Sequence, residues 1–369
     1  MATNRAPSIQ DVATAAGVST ATVSRVLNSP QIVSPETAER VRKAIEQLGY
    51  RPNLFAQGLM TRKSRVLGIA LPDIHGEFYS ELLRGADAEA RKLRYHLLVG
   101  SEARAGAGGG GGQSETGNGG GHGTGGGVGA GPGGPSTAEE GSLAHAFGLV
   151  DGLAVMITEP NERLWRAAVS SSLPVVVLDA EVDHPSVDSV MVDNAVGTRE
   201  AVEHLLSSVP PGQLYFVGGP AENYDTKRRA ETFAEVLRGT GAVIRPDQIV
   251  YGQYSVEWGY AWAAENLRGG KLNGAGILTG NDEIALGILQ AAQDADVEVP
   301  GQLKIVGFDD TRLASLVRPS LSTVRVPLAE VGAAAIDALV RRVEDPTRPS
   351  TKTRLATNLI VRESSGWAR

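Results

Sequence analysis

Ser8-Ile-Gln-Asp-Val-Ala-Thr-Ala-Ala-Gly-Val-Ser-Thr-Ala-Thr-Val-Ser-Arg-Val-Leu-Asn28 is the stretch whose reading decides what kind of chain this is. Ser8 stands three residues ahead of Asp11, a capping-box spacing that starts a helix. Ile9, Val12, Ala13 and Ala16 follow at i, i+3, i+4 and i+7, one apolar face of two turns. Gly17 breaks the helix and Val18 fills the corner. Ser19 caps a second helix whose inward face is Val23, Val26 and Leu27, while Thr20, Ala21, Thr22, Ser24, Arg25 and Asn28 point outward. Two short helices about a glycine turn, the second presenting hydroxyls and one arginine, describe a helix-turn-helix. An ordinary helical hairpin would account for the apolar positions but not for that outward face, where Glu and Lys are the usual fillers.

Working outward, Ser34 caps a third helix with Pro35 in its first turn, and Gly49 ends it. Ala38, Val41, Ile45 and Leu48 give it a face to lay on the first two, so residues 1–50 read as an all-α headpiece, near the lower size limit for folding alone. Residues 51–64 read as a hinge. Asn53 can cap a helix of two turns at most, and Gly58 weakens it by about 1 kcal/mol relative to Ala. Residues 1–65 hold nine Lys/Arg against four Asp/Glu, a net of +5, whereas the remainder carries 26 basic and 38 acidic residues, a net of −12. A small basic head on an acidic body suits a polyanion partner at one end.

From residue 65 to 369 the texture changes to apolar runs alternating with amphipathic helices. Strands are expected at 66–71, 95–99, 152–157, 175–178, 189–192, 213–217, 249–251, 276–278 and 303–307. Helices are expected at 78–94, 197–207, 226–237, 255–267, 281–294 and 328–343. This alternation implies parallel sheets covered on both faces, and the length accommodates two such lobes. One interruption stands out: Gly106–Gly134 contains 18 glycines in 29 residues, the centre of a low-complexity insertion spanning 103–136. Such a run cannot offset its ordering entropy and is expected to be a disordered surface insertion, followed by a short helix near 137–147. Gly121-His-Gly-Thr-Gly-Gly126 satisfies a dinucleotide-binding spacing, but no strand feeds it and no helix opens from it, and His122 has no ligand partners beside it.

The run Asp11-Val-Ala-x-x-Ala-Gly-Val-Ser-x-Ala-Thr-Val-Ser-Arg-Val-Leu-Asn28 resembles the helix-turn-helix of the lac repressor (LacI/GalR) family of bacterial transcription regulators. The likeness continues through Val33-Ser-Pro-Glu-Thr37, Leu48-Gly-Tyr-Arg-Pro-Asn53 and Ala56-x-x-Leu59, and recurs down to Arg362-Glu-Ser-Ser365. It implies double-stranded operator DNA as partner, pseudo-palindromic with a central CG step and bound by a two-fold homodimer. The recognition helix then enters the major groove. Thr20 and Ala21 become the reading positions, and Arg25 donates bidentately to a guanine. Thr22, Ser24 and Asn28 hold phosphates. In the hinge, Leu59, with Ala56 one turn before it, wedges into the minor groove and kinks the site.

The same resemblance implies an α/β periplasmic-binding-protein-like body with two doubly wound parallel-sheet lobes and an effector between them. It nominates Phe78, Tyr79, Asp179, Arg229, Tyr254, Asn281 and Asp309 as effector-binding residues. The chemistry is coherent for a carbohydrate, since aromatic faces stack on sugar CH groups and Asp, Asn and Arg pair with vicinal hydroxyls. A nucleobase or an amine stays open as effector. Taken singly, Phe78 and Tyr254 also suit a core, Asp179 a turn, and Arg229, in Lys227-Arg-Arg229, a solvated helix face. Asn281 and Asp309 each lie just beyond a buried strand, where open α/β sheets bind ligands.

Composition closes other doors. With no cysteine, disulfides and thiol-based metal sites are excluded. No G-x-S-x-G, histidine-rich metal spacing or credible phosphate loop appears, so neither catalytic residues nor a metal or other cofactor is expected. No stretch reaches the roughly 18 apolar residues a bilayer span needs, and no apolar leader precedes Ser8, so a cytoplasmic location with no membrane partner is expected. A solute-binding transport protein would share the body but not the basic headpiece. Without a leucine-heptad tail after Ser365, a dimer is expected over a tetramer.

Overall fold

The computed structural model describes residues 7–50, 64–74, 76–101, 147–157, 163–170 and 172–366. The hinge residues Asn53, Ala56, Gly58 and Leu59, the run Gly106–Gly134, and the helix expected near 137–147, save its last residue, lie outside these ranges. The chain divides into two compact units, Met1–Arg65 and Val66–Arg369.

The first unit is three helices, α1 (Ile9–Ala16), α2 (Thr20–Asn28) and α3 (Pro35–Leu48). Ser8 and Asp11 form a reciprocal capping box, and Gly17 closes α1 with a φ of 64°, a left-handed conformation that glycine adopts without cost. Ser19 and Ser34 cap α2 and α3 through their side chains. Val12, Ala13, Val23, Val26, Ala38 and Val41 form the buried centre, with Val18 and Tyr50 packed against it.

The second unit builds two lobes. Lobe 1 holds β1 (Val66–Leu71), α4 (Glu77–Lys92), β2 (His96–Ser101), β3 (Gly152–Met156), α5 (Arg163–Ser170), β4 (Val175–Leu178) and β5 (Val187–Val192). The chain then crosses into lobe 2 with α6 (Asn194–Leu206), β6 (Leu214–Gly218), α7 (Tyr224–Gly239), β7 (Ile249–Tyr251), α8 (Val256–Leu267), β8 (Ala275–Thr279), α9 (Asp282–Asp294), β9 (Leu303–Asp309), α10 (Arg312–Leu316) and β10 (Ser322–Arg325). It returns to lobe 1 with α11 (Leu328–Glu344) and β11 (Lys352–Leu355), and crosses once more to β12 (Asn358–Ile360). The sheet of lobe 1 runs β11-β5-β4-β3-β1-β2 and is parallel throughout. That of lobe 2 runs β12-β10-β9-β8-β6-β7, parallel except for β12, which joins β10 antiparallel. The doubly wound lobes match the expected fold class. The strand β10, the edge strands β11 and β12 and the helices α5 and α10 are additions, because Ser322-Thr-Val-Arg325 and Lys352-Thr-Arg-Leu355 are too polar to stand out as apolar runs.

Three connections therefore join the lobes, and they are tied to one another. Thr357 on the third donates its hydroxyl to the Asp193 carbonyl (2.7 Å) on the first and accepts from the Gly197 amide (3.0 Å). Within lobe 1, Arg342 and Asp188 form a buried bidentate pair (3.0 and 3.0 Å), and Thr351 donates its amide and hydroxyl to the same carboxylate. A buried pair of this kind fixes register more than it adds stability. It holds α11 and the start of β11 against β5.

Candidate functional sites

In the headpiece, Val23 and Val26 turn inward and leave Ala21 and Arg25 exposed one turn apart on α2. Thr20, Thr22 and Ser24 are half-buried beside them. The Thr22 hydroxyl lies 2.9 Å from that of Ser19, so it takes part in the N-cap. The described geometry gives α2 a short arginine-bearing stripe with small neighbours, a shape that lets a helix approach a groove closely. Ala56 and Leu59, nominated for the minor groove, lie outside the described residues.

In the body, the crevice opens where strands of both sheets end, as open α/β sheets lead one to expect. Asp179 follows β4 with a φ of 57°, and Asp309 ends β9 with a φ of 112°. From α7, Arg229 reaches the centre and is only 3% exposed. Its Nε donates to Asn194 Oδ1 (2.8 Å), one Nη to the Gly280 carbonyl and the other to Asp225 Oδ2 (3.3 Å). Asn194 Nδ2 donates in turn to Asp225 Oδ1 (2.7 Å). The guanidinium carbon lies over the Phe308 ring, 3.6 Å from its centre, a cation–π contact. Phe78, Leu82, Asp179 and Asp225 line the same small cavity as Arg229. Phe78 and Tyr79 meet edge to face, 5.1 Å apart.

Electrostatics make the crevice acidic. Burial pushes the Asp179 carboxyl well above the ordinary range, and Asp225 adds to the effect while Arg229 opposes it. Burial does the same to Asp309, again against Arg229. Desolvation works against the charge on Arg229, but the surrounding Asp225, Tyr254, Asp309 and Asp179 raise its pKa. The phenols of Tyr79 and Tyr254 are both pushed up, by burial first; Asp179 is next for Tyr79, and Asp225 adds to the rise for Tyr254 against Arg229. Asp309 Oδ1 is buried without a hydrogen-bond partner.

Tyr254 serves partly as wall. Its hydroxyl lies 2.6 Å from that of Thr226 and donates to Asn223 Oδ1 (3.2 Å). A Cβ at Gly219 would sit 2.6 Å from its ring, so glycine is what lets the ring lie against that loop. Asn281 uses its side-chain oxygen to cap α9, accepting from Ile284 N (3.0 Å). The structure thus brings Phe78, Asp179 and Arg229 to one cavity, and places Tyr79, Tyr254 and Asp309 close enough to Arg229 or to one another to shift their ionisation.

Three groups at this crevice escaped the sequence reading. Asp225 stands one helical turn before Arg229, and that i, i+4 spacing was a usable signal. Asn194 is 31 and 35 residues from its partners, with no local pattern to announce it. Asp282 is buried behind Asn281 and accepts from Thr311 N (2.7 Å), Thr311 Oγ1 (2.9 Å) and Thr323 Oγ1 (2.6 Å). Burial nonetheless lifts its pKa to about 7. At the cleft mouth Asp310 pairs with Arg325 and with Arg362 (both 2.6 Å), which gives the terminal Arg362-Glu-Ser-Ser365 a structural task. Across the mouth, the Leu313 amide of lobe 2 donates to Glu77 Oε2 of lobe 1 (3.2 Å).

A helix-turn-helix unit followed by a two-lobed α/β body with a polar crevice defines a DNA-binding regulator joined to a ligand-binding-type domain. Residues 8–53 match the family model described as bacterial regulatory proteins, lacI family, and residues 212–365 match a periplasmic binding protein-like domain. Catabolite control protein A of Priestia megaterium is 30% identical over 358 residues, 97% of this chain and 98% of that protein. The HTH-type transcriptional regulator RegA of Clostridium saccharobutylicum is 27% identical, covering 98% and 99%. The chain belongs to the lacI family of bacterial transcription regulators. In fold it is similar to the lac repressor dimer bound to operator and the anti-inducer ONPF (TM-score 0.79, 23% identity, 98% of this chain and 99% of that one). It is also similar to the transcriptional regulator CelR in complex with cellobiose (TM-score 0.67, 23% identity, 97% and 99%).

Proposed function

We propose that this regulator is a ligand-responsive repressor that binds a pseudo-palindromic operator as a homodimer and releases or tightens it when a small molecule enters the crevice. The observation that carries the reading is the pairing, in one chain, of an exposed Arg25 on a capped recognition helix with an acidic crevice whose Asp309 Oδ1 is buried and unpartnered. Thr20, Ala21 and Arg25 read bases, while Thr22, Ser24 and Asn28 hold phosphates, and Ala56 and Leu59 act in the minor groove. Phe78, Tyr79, Asp179, Arg229, Tyr254, Asn281 and Asp309 surround the effector, for which a sugar suits the mix of aromatic faces and paired polar groups. The protein acts in the cytoplasm, without a membrane partner and without catalysis; among the described residues no helix is long and apolar enough to cross a membrane.

Titration of the full chain onto a CG-centred palindromic duplex and a scrambled duplex, over a salt series, tests the DNA half of this reading. Binding at least 100-fold tighter to the palindrome is expected, with affinity falling linearly on a logarithmic salt scale. Equal affinity for both duplexes would remove operator recognition.

A further inference from the structure

We infer that Asp225 is a charge filter for the effector: it occupies Arg229 from inside the crevice, so the site accepts hydroxyl or ammonium donors and refuses phosphate or carboxylate esters. This rests on reading the crevice as the effector site. Arg229 is the only guanidinium lining the deep cavity among the described residues, and Asp225 sits against it while remaining 9% exposed. Three of its five N–H groups are already engaged, by Asn194, Gly280 and Asp225. The cation is therefore balanced before any ligand arrives. What remains to be satisfied is acceptor capacity. Asp309, 5% exposed, keeps Oδ1 without a partner, and no hydrogen bond to the Asp179 carboxyl is seen among the described residues.

A buried carboxyl oxygen left unpartnered costs free energy until something donates to it. A polyol or an amino sugar brings donors to both carboxyls. A phosphate ester in the cavity lined by Arg229 would bring two negative charges beside Asp179 and Asp225, where the guanidinium is already balanced; Arg84, Arg312 and Arg325 line the separate outer cavity that Asp309 borders. Burial raises the ionisation range of Asp179 and of Asp309, and Asp225 adds to the rise at each.

Calorimetry on the full chain with matched probes tests the filter: glucose, glucosamine and glucose 6-phosphate; ribose and ribose 5-phosphate; trehalose and trehalose 6-phosphate; and gluconate. Wild type is expected to bind an uncharged or aminated probe at least tenfold more tightly than its phosphorylated counterpart. In Asp225→Asn, which keeps the acceptor for Asn194 and removes the charge, that ratio is expected to shrink at least tenfold. A phosphorylated or carboxylated probe binding wild type as tightly as its parent, or a ratio unchanged in the variant, overturns the proposal. Should no probe bind, the unliganded melting temperature decides. Asp309→Asn raises it if Oδ1 is held open for a ligand donor, and a fall makes Asp309 structural and overturns the proposal. Operator binding followed in parallel separates the two readings, since its absence in wild type would remove the regulator function and leave the charge rule standing.

Discussion

At the scale of single residues, Arg25 and Asp282 carry opposite kinds of commitment. Arg25 is exposed on α2, so its replacement should leave the fold intact and act only on DNA. Arg25→Ala is expected to weaken operator binding by about 1–3 kcal/mol while sparing non-specific binding, as read by anisotropy on palindromic and scrambled duplexes. Equal loss on both would make it a phosphate contact. Asp282 is buried among three donors, and its pKa is nevertheless about 7 because burial outweighs them. Its folded pKa lies above its unfolded value of 3.8, so the folded state binds the extra proton between the two. The stability this contributes is complete below that lower value and is lost as pH rises through about 7. Melting temperatures of wild type relative to Asp282→Asn should therefore fall between pH 4 and pH 7 and level off above, and a flat difference would contradict the assignment. Of the crevice groups, Arg229 was legible in the sequence through resemblance alone, and Asp309 through resemblance and its place beyond a strand. Asn194 was not, because only the folded chain brings it to Asp225.

At the scale of elements, α4 and α11 of lobe 1 meet through glycine. A Cβ on Gly332 would overlap the Leu82 carbonyl oxygen, and one on Gly85 would overlap the Ala329 carbonyl. Backbone cannot yield as a side-chain tip can, so Gly332→Ala should cost on the order of 1–3 kcal/mol, read as a shift in the denaturant midpoint. An unchanged midpoint would mean the helices slide freely. In the headpiece, Ser8→Ala removes one half of the capping box and is expected to cost about 1 kcal/mol locally. Faster amide exchange in α1 but not in β9 would display it. The helices of both units, α5 and α10 apart, were legible from caps and periodicity. The short strands β10, β11 and β12 were not, since they are held by sequence-distant neighbours, as Ser322 of β10 is by Arg362, rather than by their own apolar pattern.

At the scale of the whole molecule, the three lobe connections, the Thr357 tie between two of them and the Glu77–Leu313 contact across the mouth hold the two lobes together around the crevice. Arg229 is tied to the first of those connections, since its partner Asn194 begins α6 directly after it. On the proposed function, a ligand that changes what Arg229, Asp179 and Asp309 contact would favour one lobe arrangement, and linkage would then require operator and effector to alter each other's affinity equally. The glycine-rich run was visible in composition and lies outside the described residues. Removing Gly106–Gly134 should leave melting temperature and operator affinity near wild type. The most direct test of the coupling is a thermal-shift screen of sugars, nucleobases and amines on the full chain, run with and without operator duplex. The account predicts a compound whose stabilisation of the protein changes when operator is present. Ligand shifts that are identical with and without operator would contradict it.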